Sequence, residues 1–87
     1  MMRNTDLTIR YEDFSETFAG FCFVVFGKQY IVVNNTLNSH EQELYKLALK
    51  YFLKKGLAPK KISLPPSTAE ELRAIEYATT LLAEQVV

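Results

Sequence analysis

His40 is the single histidine of the chain, and it is followed directly by Glu41. A helical zinc-hydrolase motif needs two histidines four residues apart, because that spacing puts both rings on one helix face and within reach of one metal ion. Position 44 is Leu, so the second ring is missing. Cys22, the single cysteine, excludes an internal disulfide and sits inside an apolar run, where a thiol reads as a small core hydrophobe rather than a nucleophile. Ser15, Ser39, Ser63 and Ser67 lie at turns and helix starts, and no serine, histidine and aspartate form a nucleophilic set. Glu12, Asp13 and Glu16 are an acidic cluster in a polar connection, which reads as solvated. The glycines at positions 20, 27 and 56 form no phosphate loop. No cofactor and no metal are expected.

Binding chemistry has two candidate sources. Lys54, Lys55, Lys60 and Lys61 are a local basic cluster, and tyrosines at positions 11, 30, 45, 51 and 77 could stack on bases. Ten basic residues balance ten acidic ones, however, and phosphate binding needs a net or dense positive field. The lysines read as a helix end and its loop, placed where the helix dipole favours cations. Nucleic acid is therefore the alternative partner rather than the expected one.

The elements that would position these residues follow from periodicity. Leu7, Ile9 and Tyr11 alternate with Thr8 and Arg10, a short strand. Phe18 to Phe26 and Gln29 to Val33 are β-rich runs around Gly27-Lys28, a hairpin with glycine leading the turn. Asn38 or Ser39 caps a helix that runs to Lys55 and stops at Gly56. Residues 57–66 read as a loop closed by two prolines. Ser67 to Glu70 is a capping-box pattern for a second helix, whose apolar face is Leu72, Ile75, Ala78, Thr79, Leu82 and Val86. One α+β domain over residues 1–87 is expected: a small antiparallel sheet, made of the N-terminal strand plus a β-hairpin, followed by two packed α-helices. Hydrophobic residues make up 48% of the chain, enough to offset its conformational entropy. No stretch is long and apolar enough for a membrane span and no N-terminal signal pattern is present, so a cytoplasmic protein is expected.

The hairpin carries an apolar surplus. Phe21, Phe23 and Val25 alternate with Cys22, Val24 and Phe26, so both faces of the strand want cover. Either the N-terminal arm and the Phe14 to Phe18 segment fold over the second face, or another chain covers it.

The segment from Gly20 to Lys55 resembles the ImmA/IrrE-type metallopeptidases. The matching pieces are Gly20-Phe21, Gly27-Lys28, Tyr30-Ile31-Val32-Val33-Asn34, Thr36-Leu37-Asn38-Ser39, Glu41-Gln42 and Leu47-Ala48. Ala74, Tyr77-Ala78 and Leu81-Leu82 are similar to a later helix of that family. The resemblance implies that the family's two histidine ligands fall at Leu49 and Leu53, its catalytic glutamate at Lys50 and its third ligand at Arg73. It thus implies a degenerate, shortened relative without the metal site, not an enzyme. Active members often sit in phages and mobile elements and cut helix-turn-helix repressors. The resemblance accordingly implies a non-catalytic interaction or regulatory module whose partner is such a repressor or a second copy of the chain. The competing readings are an enzyme with an unrecognised site and a small nucleic-acid binder using the lysine cluster.

Overall fold

The computed structural model describes residues 6–14 and 17–85. The element order is β1 (Leu7–Glu12), β2 (Phe18–Val25), β3 (Lys28–Asn34), α1 (Ser39–Lys54), β4 (Lys60–Ser63) and α2 (Ala69–Gln85). The architecture is α+β, with strands followed by two packed helices. Val86, assigned from its spacing to the face of α2, lies outside the described residues, as do Ser15 and Glu16.

The sheet differs from the expected one in two ways. It has four strands in the order β1-β3-β2-β4, and it is mixed rather than purely antiparallel. β1 pairs parallel to β3, with Ile9 opposite Ile31. The connection from Glu12 to Phe18 is long enough to step over one strand, since two inter-strand spacings are only about 10 Å. Asn34 and Asn35 stitch that end of the sheet. The Asn34 side-chain amide donates to the Phe18 carbonyl at 3.0 Å, and the Asn35 N–H donates to the Glu12 carbonyl at 2.9 Å. The second difference is β4, in a segment that reads as loop. Lys60 to Ser63 pairs antiparallel with β2, with Ile62 opposite Gly20 and a register shift between Phe18 and Gly20. Four residues flanked by prolines carry too short a pattern to register as a strand, yet Ile62 is fully buried.

The hairpin turn is also displaced by one residue. Val25 pairs with Lys28, so the two turn residues are Phe26 and Gly27. Both have positive φ, 51° and 78°. That is the signature of a type I′ turn, in which glycine comes second, rather than the glycine-first turn expected. Phe26 is therefore not a strand residue and shares no strand face with Cys22 and Val24.

Asn38 caps α1 in a reciprocal box: its side chain accepts from Glu41 N–H at 2.8 Å while the Glu41 carboxylate accepts from Asn38 N–H. Gly56, at φ 71°, follows the C-cap residue Lys55. For α2 the box is one residue later than its sequence pattern suggests. Thr68 Oγ1 accepts from Glu71 N–H at 3.1 Å, and Glu71 Oε1 accepts from Thr68 N–H at 3.3 Å. Glu71 rather than Glu70 closes the box because its carboxylate is buried there and also accepts from Ser67 N–H at 2.7 Å.

α1 packs on β2, β3 and β4, and α2 packs on α1 and β4. α1 is thus covered on two sides, which accounts for its wide apolar arc. Tyr45, Leu47, Ala48, Leu49, Phe52 and Leu53 are all buried. Burial on α2 centres on Glu71, Ala74 and Ala78, so its inner face is rotated from the expected one, and Leu72 and Thr79 are exposed. The two alanines let the helices approach closely, and they are weak signals in a hydrophobic pattern. Gly20 serves the same end between β2 and α1: a Cβ there would lie 2.4 Å from the Val32 carbonyl oxygen and 2.9 Å from Leu49 Cδ1.

Candidate functional site

Both helices serve one face of the sheet. On that face Cys22 and Ile31 are paired and buried, and Gly20 and Val33 follow in the same register. The other face is built from the alternate residues. β2 contributes Phe21, Phe23 and Val25, β3 contributes Tyr30 and Val32, and β1 contributes Arg10 and Glu12. Phe14, from the polar connection after β1, lays its ring on Phe21 at 5.8 Å. Phe21 stacks on Phe23 at 5.9 Å, and Phe23 stacks on Tyr30 at 4.9 Å with the rings 11° apart. These four rings form one continuous aromatic row. They are half-buried, by one another and by the sheet, and no helix packs over them among the described residues. Of the two covers expected for this face, the Phe14 to Phe18 segment supplies part, through Phe14. The N-terminal strand does not fold over it: β1 pairs with β3 within the sheet, and residues 1–5 lie outside the described residues.

A depression of about 380 Å³ opens on this face, lined by Phe14, Phe18, Phe21 and Val32 with Glu12 and Lys61. Lys61 Nζ stands 4.7 Å from the centre of the Phe18 ring, a cation–π contact, and Arg10 holds Glu12 in an exposed ion pair at 3.1 Å. Phe14 and Phe18 carried a sequence signal, since both are aromatic residues at the ends of an otherwise polar connection.

The expected interface residues separate into three groups. Phe21, Phe23 and Val25 lie on the open face. Cys22 is in the core and offers nothing to a partner: burial pushes its thiol up to about 11, partly offset by a hydrogen bond from the Lys60 backbone. Val24 is on the helix side yet exposed, and Phe26, at the hairpin tip, is 98% exposed.

The positions that the family resemblance would align with a metal site do not converge. Leu49 and Leu53 are core residues, Lys50 beside them is half-buried, and Arg73 is exposed on α2 next to Leu72 and Glu76. His40 is exposed in the first turn of α1, near Leu82. No group of three or more His, Cys, Asp and Glu side chains among the described residues is placed to hold a metal ion.

A second concavity, of about 520 Å³, lies at the β4 edge between Phe23, Pro59 and the start of α2. Its polar groups are engaged. Lys60 is ion-paired with Glu70, and Glu71 is held by the cap of its own helix. The lysine cluster is divided in the same region. Lys60 faces Glu70, Lys61 turns to the opposite sheet face over Phe18, and Lys55 lies over the Tyr51 ring at 5.7 Å.

Comparison with protein-family models, with curated proteins and with solved structures returned no match. No helix among the described residues is long and apolar enough to cross a membrane.

Proposed function

We propose that this chain is a non-catalytic protein-interaction module, a relative of the zinc-peptidase-like scaffold without its metal ligands, acting in the cytoplasm of a phage or mobile-element host. It works by binding another polypeptide, a helix-turn-helix repressor or a second copy of itself, through the outer face of its sheet. The observation that carries this reading is the row Phe14, Phe21, Phe23 and Tyr30 on a face that no helix covers among the described residues. An antiparallel hairpin with one wet face alternates apolar and polar residues. This one places aromatic rings where solvated side chains belong, and aromatic residues are the usual anchors of protein interfaces.

Two further observations favour it over its rivals. Leucines occupy the positions where the resemblance would place metal ligands, and both are packed in the core. The basic cluster faces in different directions and is partly paired, so it makes no continuous track for a phosphate backbone.

Photo-cross-linking in the native host tests the proposal. A benzoylphenylalanine placed at Phe23 is expected to give discrete protein adducts, and one at the exposed Thr79 none. Absence of adducts from Phe23 would remove the basis of the reading.

A further inference from the structure

β2 runs on past the end of β4. The pairing of the two strands stops at Cys22 opposite Lys60, and the residue before Lys60 is Pro59, which has no N–H to give a ladder. Leu57 is held instead to the end of α1, its N–H donating to the Phe52 carbonyl at 2.9 Å. Phe23, Val24 and Val25 therefore form a bare margin of the sheet. Val25 and Lys28 flank the two-residue turn and exchange backbone hydrogen bonds, as Phe23 and Tyr30 do one step further along. Val24, between them, turns its N–H and C=O away from β3. Gln29, opposite Val24, shows the same alternation, its N–H donating outward to the Asp6 carbonyl at 2.9 Å. Among the described residues no backbone group meets Val24 on its open side.

We propose that this margin takes an extended, uncharged segment of a partner polypeptide, added to the sheet as a strand in line with β4. The site lies on the sheet edge and stands without the aromatic row of the outer face. An N–H and a C=O of one residue, facing the same way, are matched by the C=O and N–H of one residue of an extended chain. A helix has already spent both groups on itself. The flanks set the side chains. Other margins of the sheet carry the charges and prolines that keep strands from pairing: Arg10 and Glu12 on β1, Lys60 and Lys61 on β4 with Pro59 before them. The Phe23 to Val25 margin has no charge, and Val24 and Val25 are exposed on opposite sides of it. Beside it opens the concavity of about 520 Å³, with Phe23, Phe52 and Pro59 as apolar walls. The ionic groups there are engaged, Lys60 by Glu70 and Glu71 by its helix cap, so the segment has no charge to neutralise.

Nuclear magnetic resonance of the full chain, with and without a capped peptide of alternating threonine and valine, tests the site. In the free chain the Val24 amide is expected to exchange faster than those of Phe23 and Val25, which are bonded to β3. At millimolar peptide its exchange is expected to slow at least tenfold, with the largest chemical-shift changes at Val24 and Lys60. Val24→Lys places a charge at an exposed position and keeps the fold, which circular dichroism checks. It is expected to abolish both effects, and Thr79→Lys, exposed on α2, neither. A slow Val24 amide in the free chain, shifts centred on β1, no shifts at all, or binding that survives Val24→Lys overturns the proposal. Protection of Val24 that appears on concentrating the chain without peptide would assign the edge to a second copy and overturn the choice of partner.

Discussion

Replacing Gly20 with alanine adds one methyl group where β2, β3 and α1 meet. The new Cβ would sit 2.4 Å from the Val32 carbonyl oxygen, 2.9 Å from Leu49 Cδ1 and 3.3 Å from Val33 Cα. Real Cβ contacts essentially never fall under 3.0 Å, so β2 and β3 would have to separate by about 0.6 Å. They are the two central strands and are hydrogen-bonded from Gly20–Val33 to Val25–Lys28, so the shift cannot be absorbed by one flexible side chain. Overpacking of this kind costs about 1–3 kcal/mol, and a backbone obstacle argues for the upper end. Against it stands about 0.4–1 kcal/mol from the lower entropy of the unfolded alanine chain. A net loss of about 2 kcal/mol is expected. That is substantial beside the roughly 4–13 kcal/mol typical of a domain this size. Urea denaturation followed by circular dichroism reads it as a midpoint lowered by roughly 1–2 M, taking a slope of about 1–2 kcal/mol per M. Leu49→Ala in the same chain removes the 2.9 Å contact but not the 2.4 Å one. The double variant should therefore show a coupling smaller than the cost of Gly20→Ala alone. A midpoint for Gly20→Ala within about 0.3 M of the wild type would refute the claim that Gly20 is held by close approach.

Leu53 is buried against the core, so Leu53→Ala should lose about 2–5 kcal/mol in the same denaturation experiment; a loss below about 0.5 kcal/mol would mean that the side chain is not packed. Burial raises the Cys22 thiol from 9.0 to about 11, and a raised acid favours the fold only while it stays protonated. Stability should be unaffected by this group below pH 9, fall by roughly 2–3 kcal/mol as pH rises through 9 to 11, and fall less in Cys22→Ala; an equal alkaline loss in that variant would assign the effect elsewhere. Protein purified without a histidine tag should carry no stoichiometric zinc after dialysis, since leucine fills positions 49 and 53; metal analysis showing one zinc per chain would contradict this.

The elements with long, strongly periodic patterns were legible in the sequence. Both helices, the hairpin and β1 follow from spacing and caps alone. The pairing of β1 was not, because alternation tells which residues share a face and nothing about which neighbour a strand takes. β4 escaped notice because Ile62 is its one buried apolar residue and lysines and prolines surround it. At the hairpin tip Phe26 masks the turn, since Asn or Asp before Gly27 would have announced it. The apolar surplus was visible, and with it Phe21, Phe23 and Val25. The contribution of Cys22 to an interface was misread: alternation divides a strand into two faces and does not tell which one the helices choose. The inner face of α2 was misplaced for a similar reason: its phase is set by Ala74 and Ala78 rather than by the larger Leu72, so Leu72 and Thr79 were assigned to the buried face and are exposed.

β1 is joined to the sheet on one side, and of its six residues Ile9 alone is half-buried. Its partner β3 carries Ile31, Val32, Val33 and Asn34, all buried. Such an edge opens at far lower free energy than the strands behind it, so amide exchange should be quickest in β1 and slowest across the β2–β3 ladder. Each opening bares the hydrogen-bonding groups of a strand reading Tyr-Ile-Val-Val, with no charge between Lys28 and Asn34. That is a template for pairing with the same strand of another molecule. β1 therefore acts as a removable guard. On warming, the chain should begin to aggregate through β3 before its helices melt, and covalently fastening β1 to β3 should delay aggregation more than it raises the melting temperature.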